Sequence, residues 1–141
     1  FAAVVAQVDG EMADRARQVA AATQGLWEGL LAEGAAYIEM ALDPEVQRIV
    51  LLDGPAFLGD PSRWPSQNAC LEMTKQAVAG LVSDGILKPV DVEAAARLLS
   101  GAALNAALWV AASDEPRAAL PRAVEAFRLM AEGLLAKPQS R

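Results

Sequence analysis

The chain has 141 residues with 54% hydrophobic side chains, one cysteine, no histidine and a formal net charge of −6. This length suits one domain, which can bury about two-thirds of its unfolded surface, while the single cysteine excludes an internal disulfide and fits a reducing cytoplasm. The lack of histidine excludes Ser-His-Asp and Cys-His catalysis and removes the commonest metal ligand. The negative net charge argues against contact between these residues and nucleic acid, because phosphate neutralisation needs clustered Lys and Arg.

Two long helices are predicted at the start of the chain. The first, over about 1–22, is indicated by apolar side chains on one helical stripe: Phe1, Val5, Val8, Met12 and Val19. Because the sequence opens on Phe1 in the middle of this pattern, we expect further residues upstream of it. A second helix is predicted from residue 23 or 24 to about residue 42.

The segment 43–59 carries the most specific local pattern. Asp43 can cap a short helix over about 44–52, whose branched apolar side chains would bury one side. Gly54 can adopt the left-handed conformation beyond the last turn, and Pro55 forbids continuation. The sequence therefore predicts a helix that stops at this point, an apolar loop after it, and a moving part beside a cavity.

Three further helices are predicted in the second half. Gly85 is the expected stop of the fourth helix, and Asp91 is the expected cap of the fifth. A turn that contains Pro116 separates the fifth helix from the sixth. The predicted bounds of the three are about 61–84, 92–112 and 117–136.

The predicted fold class is all-α, because no alternating strand pattern occurs anywhere in the sequence. We expect one domain over 1–136 and a flexible tail over 137–141. The longest uncharged stretch, 98–113, is shorter than the roughly 20 residues that cross a membrane. It is therefore interpreted as a buried helix, and no membrane partner is expected.

The run 43–59 resembles a segment of the regulatory domain of TetR-like transcriptional repressors. It reads D-P-E-V-Q-R-I-V-L-L-D-G-P-A-F-L-G, and many members of that family carry a similar run. The order of helices is also similar, with a connecting helix, three helices around a pocket and two long helices that pair with a second subunit. The resemblance implies a six-helix regulatory domain whose last two helices form a four-helix bundle in a homodimer. It also implies a helix-turn-helix unit upstream of Phe1, so that operator DNA would be bound only through residues outside this sequence.

The resemblance further implies a mostly hydrophobic cavity that binds a small effector. Core packing is the competing explanation for each aromatic residue, and a local hydrogen bond is the competing explanation for each inward polar residue. The predicted effector-binding residues are Trp27, Leu31, Ile38, Phe57, Leu58, Gln67, Leu71, Thr74, Asn105 and Trp109. Because this set contains no cation or histidine, we expect a neutral, apolar or aromatic effector, with no cofactor and no metal.

The helix 92–112 and the helix 117–136 are predicted to form the dimer interface. The first has almost no solvated face in its C-terminal half, so it must pack on several sides. A central helix in the core of one monomer is the competing explanation, and the resemblance favours an interface with a second copy. The predicted interface residues are Leu99, Ala103, Ala106, Val110, Leu120, Val124, Phe127, Met130 and Leu134.

The predicted function is the effector-sensing and dimerisation part of a cytoplasmic transcriptional regulator, in particular a repressor. By resemblance, a ligand would move the helix 44–52 and its loop, and that movement would tilt the connecting helix 1–22. The alternative is a helical protein–protein adaptor with a filled core and an exposed apolar groove. An enzyme is disfavoured, because every carboxylate is predicted near a cap, a turn or a solvated face.

Overall fold

The computed structural model describes the backbone of residues 1–137 and, within that range, all side chains except those of residues 57, 62 and 65–69. This part of the chain forms six α-helices and no strand, so the predicted all-α fold is confirmed. The helices are α1 (Ala2–Ala22), α2 (Leu26–Glu39), α3 (Gly54–Leu58), α4 (Pro65–Ser83), α5 (Val92–Ala112) and α6 (Pro116–Glu132), with a π-helix (Val46–Asp53) directly before α3. The predicted tail 137–141 lies outside the described residues apart from Lys137.

The start of α5 and the stop after α4 lie where the sequence predicts them. The Asp91 Oδ1 atom accepts a hydrogen bond from the N–H three residues later at 2.8 Å, which pairs one of the free donors of a helix start. Gly85 turns the chain after α4 with a φ of 75°. α6 ends at Glu132, earlier than predicted, because the chain beyond it bonds to the α4–α5 connection: the Lys88 N–H donates to the Leu134 carbonyl at 2.9 Å.

The prediction for the segment 43–59 is partly wrong. Asp43 does cap it, since its Oδ1 atom accepts a hydrogen bond from the N–H two residues later at 2.9 Å. The helix does not stop at Gly54, however, because the π-helix passes directly into α3 and Gly54 has a right-handed φ of −54°. The left-handed stop is Gly59, with a φ of 79°. Pro55 lies in the first turn of α3, where the backbone φ that its ring fixes suits a helix.

α5 is the central helix and packs on α2, α4, α6 and the π-helix. Its buried side is made of small or branched residues, among which Ala96, Ala107 and Val110 have no exposed surface. By length and composition alone α5 could cross a membrane, but core helices of helical bundles share both properties. The packing of α5 against other elements on several sides accounts for its apolar sequence. α1 packs along α2 and against the π-helix on the other side of the bundle.

Candidate functional site

A cavity lies inside the bundle, and five of the helices contribute to its wall. The cavity is partly open to solvent; the room inside its wall is about 60 Å³, and about 590 Å³ of unfilled volume is present when the mouth is included. The smaller value measures the room inside the wall and is the one to compare with ligand pockets. The lining residues are Ala13 and Ala16 of α1, Leu30, Leu31, Glu33, Gly34 and Tyr37 of α2, Cys70 and Thr74 of α4, Leu99, Ser100 and Ala103 of α5, and Phe127 of α6.

Small residues on facing helices create this cavity. Ala13, Ala16 and Ala103 leave space that the neighbouring side chains do not fill. A Cβ atom added at Gly34 would lie 2.5 Å from the Cζ atom of Phe127, so the Phe127 ring rests directly on the backbone of α2. The absence of a side chain at Gly34 therefore determines where the aromatic wall of the cavity lies.

Thr74 contributes a buried hydroxyl group to the wall. Its Oγ1 atom donates a hydrogen bond to the Cys70 carbonyl at 2.9 Å, so its proton is used within α4. The competing explanation for an inward polar residue, a local hydrogen bond to the backbone, therefore applies to the Thr74 hydroxyl proton. The lone pairs of the same oxygen remain able to accept a hydrogen bond from a ligand.

Glu33 is the charged group of the wall. Burial raises the pKa of its carboxyl group above the ordinary value of 4.5, and the positive charge of Arg17 partly opposes that rise. The Arg17 guanidinium is itself bonded to Asp14 and also contacts the Met73 sulfur at 3.7 Å. Among the described residues, Glu33 makes no hydrogen bond and no ion pair within 4.0 Å. The cavity thus contains a partly desolvated carboxylate without a direct counter-ion.

Cys70 lies beside that carboxylate and is half-buried. Burial raises the pKa of its thiol, the charge of Glu33 raises it further, and Arg17 partly lowers it. Such a thiol is mostly protonated near neutral pH and is a poor nucleophile. Cys70 therefore acts as a packed side chain of the wall, in agreement with the interpretation of this residue as a small packed thiol.

A second, wider cleft of about 480 Å³ opens on the outer side of α2. It lies between the end of α1, α2 and α4, with Leu26 and Met73 among its lining residues. Leu30 and Glu33 line both this cleft and the cavity. These two side chains form the partition between the cavity and an opening to solvent.

The expectation that every carboxylate would lie near a cap, a turn or a solvated face is wrong for two residues. Glu33 lines the cavity, and Asp9 is 1% exposed. The helical period places Asp9 on the same face of α1 as Val5, Met12 and Ala16, which are buried too. Within the described part of the chain, no group of three His, Cys, Asp or Glu side chains could hold a metal ion.

The predicted effector-binding residues are only partly brought together. Leu31 and Thr74 line the cavity. Leu58 is exposed, whereas three others pack in the core without lining the cavity: Trp27, Ile38 and Leu71. The side chains of Phe57 and Gln67 lie outside the described residues. No described residue of the segment 43–59 lines the cavity, because that segment packs on α1 and α5 away from it.

Asn105 and Trp109 are corrected, since both lie on the exposed face of α5 instead of in the cavity. Trp109 is 45% exposed, and the guanidinium of Arg122 lies 5.3 Å from the centre of its ring. Asn105 is exposed as well, so its amide needs no buried partner. The stripe that these residues share faces out of the subunit.

Four of the predicted dimer residues lie inside the chain. Val110 is fully buried, and Leu99, Ala103 and Phe127 line the cavity, so these four belong to the interior of the subunit. Four more are half-buried and pack against the core: Ala106, Leu120, Val124 and Leu134. Met130, at 70% exposed, is the one of the nine predicted residues that lies on the surface.

An uncovered apolar face runs along α5 and α6 instead. Leu98 is 74% exposed and Leu129 is 60% exposed, with Trp109 and Met130 on the same pair of helices. Gly101 lies between them on α5 with no heavy atom within 4 Å of an added Cβ atom. We refer to these five residues as the α5–α6 face.

Sequence reasoning missed most of the lining residues, although two signals were present. Glu33 is the charged residue in an otherwise apolar stretch of α2, where a solvated side chain was assumed. Alanine and glycine at facing positions, such as Ala13 and Gly34, mark places where a bundle can be hollow. Both signals become specific only once the helices are placed side by side.

An all-α bundle with an internal cavity, and with an apolar face left open on its last two helices, has the construction of a helical sensor domain. Comparison with known proteins agrees. A family model described as "Tetracyclin repressor-like, C-terminal domain" matches residues 27–134. A TetR-family transcriptional regulator from Pectobacterium atrosepticum has a crystal structure that is similar to this fold, with 40% sequence identity and a TM-score of 0.88; the match covers 98% of this chain and 71% of that chain.

The chain therefore belongs to the TetR family of transcriptional regulators. Comparison with curated proteins gave no match. The resemblance drawn from the segment 43–59 and from the helix order is confirmed at the level of the family, the fold and a role in transcription regulation.

Proposed function

We propose that the chain is the effector-sensing and dimerisation part of a cytoplasmic TetR-like repressor, whose operator affinity is changed by a small apolar or aromatic ligand. The observation that supports this most directly is the cavity, whose wall includes residues of α1 as well as of α6. A ligand in such a cavity contacts five helices at once. The cavity also favours a sensor over the adaptor alternative, which predicts a filled core.

The cavity must expand to hold an effector. The volume available inside the wall, about 60 Å³, is far below the roughly 300–1,000 Å³ of ordinary ligand pockets. Phe127 is the side chain whose displacement we propose, because it lines the cavity and its ring rests on the backbone of α2 at Gly34. Movement of that side chain, or of α6 with it, would open the interior towards the volume at the mouth.

The ligand would act on α1 directly. Ala13 and Ala16 belong to both α1 and the cavity wall, so an expanded cavity pushes on this helix without an intermediate. The sequence-based mechanism, in which the helix 44–52 transmits the movement, is less direct, since no described residue of that segment reaches the cavity. In the proposed repressor, tilting of α1 changes the separation of two DNA-binding units that lie outside these residues. Ligand and operator then weaken each other's binding by the same factor.

A second copy of the chain is the proposed partner of the α5–α6 face. Apolar side chains with exposed fractions of 45% to 74% are clustered there, and Gly101 permits close approach of another helix. A four-helix interface of this kind should bury more than about 1,000 Å² in total. Leu98→Glu should convert the dimer to a monomer, because a carboxylate would be buried without a partner. Leu26→Glu, at an exposed leucine of α2, is the matched control and should leave the dimer intact.

Light scattering coupled to gel filtration at micromolar concentration measures this outcome. A wild-type protein that is monomeric, or a Leu98→Glu variant that stays dimeric, would refute the interface.

The effector function is tested by calorimetry with a panel of apolar and aromatic compounds, followed by operator titration of the full-length regulator with each compound that binds. Ala16→Leu, which fills the cavity from α1, should abolish the binding of such compounds. Unchanged operator affinity at saturating ligand would contradict the proposed mechanism.

A further inference from the structure

We propose that Glu33 makes the cavity selective for lipophilic cations, ligands with an apolar or aromatic body and one positively charged nitrogen. This inference rests on the proposed effector function and narrows the ligand class of the same cavity. It departs from the neutral effector expected from the sequence, because the sequence placed no charged group in the wall.

The position of Glu33 suits such a ligand. Glu33 lines both the cavity and the outer cleft, and it lies one helical turn from Leu30 and from Tyr37 on α2. A cationic nitrogen at this partition meets the carboxylate at the border with solvent. The apolar body of the same ligand then extends inward between the hydrophobic side chains of the wall.

The carboxylate has no direct counter-ion of its own. Arg17 attracts Glu33 from a distance, but the guanidinium is already bonded to Asp14. A carboxylate that is partly removed from water without an ion pair is unfavourable. An incoming cation would supply the missing charge, so part of its binding energy comes from relief of this penalty.

Most of the charges that act on the cavity wall are negative. The Cys70 thiol lies in the wall and acts as a probe of the local potential, because three carboxylates favour its protonated form and one guanidinium opposes it. Burial is the largest cause of the raised pKa of this thiol, and Glu33 is the next, followed by Arg17 in the opposite direction and by Asp9 and Asp14. The potential inside the wall is therefore negative, which attracts cations and repels anions.

Aromatic surface completes the site. Tyr37 and Phe127 both line the cavity. The faces of aromatic rings attract ammonium groups through their quadrupole, most strongly where water is excluded. The wall therefore combines a carboxylate-bearing residue with two aromatic side chains, in addition to apolar contacts for the rest of the ligand.

Three probes of similar shape and different charge test the proposal: benzyltrimethylammonium as the cation, neopentylbenzene as its neutral analogue and phenylmethanesulfonate as the anion. Isothermal titration calorimetry should show that the cation binds about tenfold more tightly than the neutral probe and that the anion does not bind. Glu33→Gln should weaken the cation about tenfold and leave the neutral probe within about twofold. Glu28→Gln, the same change at an exposed position of α2, should alter neither.

The possible outcomes separate the charge selectivity from the cavity itself. Equal affinity for the cation and the neutral probe in the wild-type protein overturns the role of Glu33 without use of any variant, and it leaves the cavity as an effector site. An unchanged cation affinity in Glu33→Gln, with a normal circular dichroism melt, overturns that role as well. Failure of all three probes to bind the wild-type protein overturns both the selectivity and the effector cavity.

Discussion

Gly54 is a position where one added methyl group should disturb the fold. It lies at the junction of the π-helix and α3 with a helical φ of −54°, so alanine could adopt its backbone conformation. An added Cβ atom, however, would lie 2.7 Å from the Ile49 carbonyl oxygen and 2.9 Å from the Trp64 ring. The Val5 side chain of α1 would be 3.4 Å away. Three parts of the chain therefore meet at a point that admits only glycine.

The net effect of Gly54→Ala follows from two opposing contributions. Overpacking costs about 1–3 kcal/mol, and a value near the upper end applies because the Ile49 oxygen belongs to the backbone and cannot rotate away. The higher helix propensity of alanine contributes about 1 kcal/mol in the opposite direction. We therefore expect a loss of about 1–2 kcal/mol. For 141 residues, an unfolding entropy of about 2.1 cal/mol/K per residue converts this loss to about 3–7 °C in Tm.

Gly10→Ala is the matched control, since Gly10 lies inside α1 with no heavy atom within 4 Å of an added Cβ atom. This variant should gain about 1 kcal/mol, or about 3 °C. Calorimetry or circular dichroism at one fixed protein concentration measures both, because the stability of an oligomer depends on concentration. If Gly54→Ala is as stable as the wild type while Gly10→Ala gains stability, the close approach at Gly54 does not constrain the fold.

Two further predictions concern single side chains. Asp91→Ala removes the hydrogen bond at the start of α5 and should lower the free energy of unfolding, measured in urea, by about 1 kcal/mol. Asp84→Ala, at an exposed aspartate without such a bond, is the control and should have little effect. Equal losses of stability in the two variants would contradict the capping role of Asp91. Glu33→Gln should be more stable than the wild type at pH 7. Because the folded state raises the pKa of Glu33, it binds the proton more tightly than the unfolded chain does, so the charged carboxylate destabilises the fold above that raised pKa. The difference in Tm between Glu33→Gln and the wild type should vanish as the pH falls towards 4.5. A difference in Tm that does not change with pH would contradict this reasoning.

Helix ends could be predicted from the sequence where one residue determines them. Asp91 and Gly85 act through their own side chain or backbone, so their local sequence suffices. At Gly54 the same reasoning failed, because glycine has two uses that a sequence does not distinguish. It can end a helix in a left-handed conformation, or it can permit close packing inside one. The second use depends on Trp64 and Val5, which are distant in sequence.

The two faces of α5 could not be distinguished for a similar reason. Both are apolar: Ala103 and Val110 lie on one, and Leu98 and Trp109 on the other. Hydrophobic periodicity shows that a helix is covered on several sides, but it does not show which side faces its own subunit. On α5, the predicted cavity residues Asn105 and Trp109 consequently fell on the open face, and the predicted dimer residues Ala103 and Val110 on the inner face. The placement of α2 and α6 against α5 resolves the ambiguity.

α6 connects the cavity to the proposed dimer interface. Phe127 faces the cavity from α6, while Leu129 and Met130, two and three residues later, lie on the α5–α6 face. A ligand that displaces Phe127 must therefore be accommodated either by rotation of that ring or by movement of α6 relative to the second copy. In the second case the ligand and the partner subunit are thermodynamically linked, so the dimer dissociation constant should change when the cavity is filled. If only the Phe127 ring rotates, the dimer dissociation constant should stay the same. Measuring this constant with and without a bound probe distinguishes rotation of the ring from movement of α6.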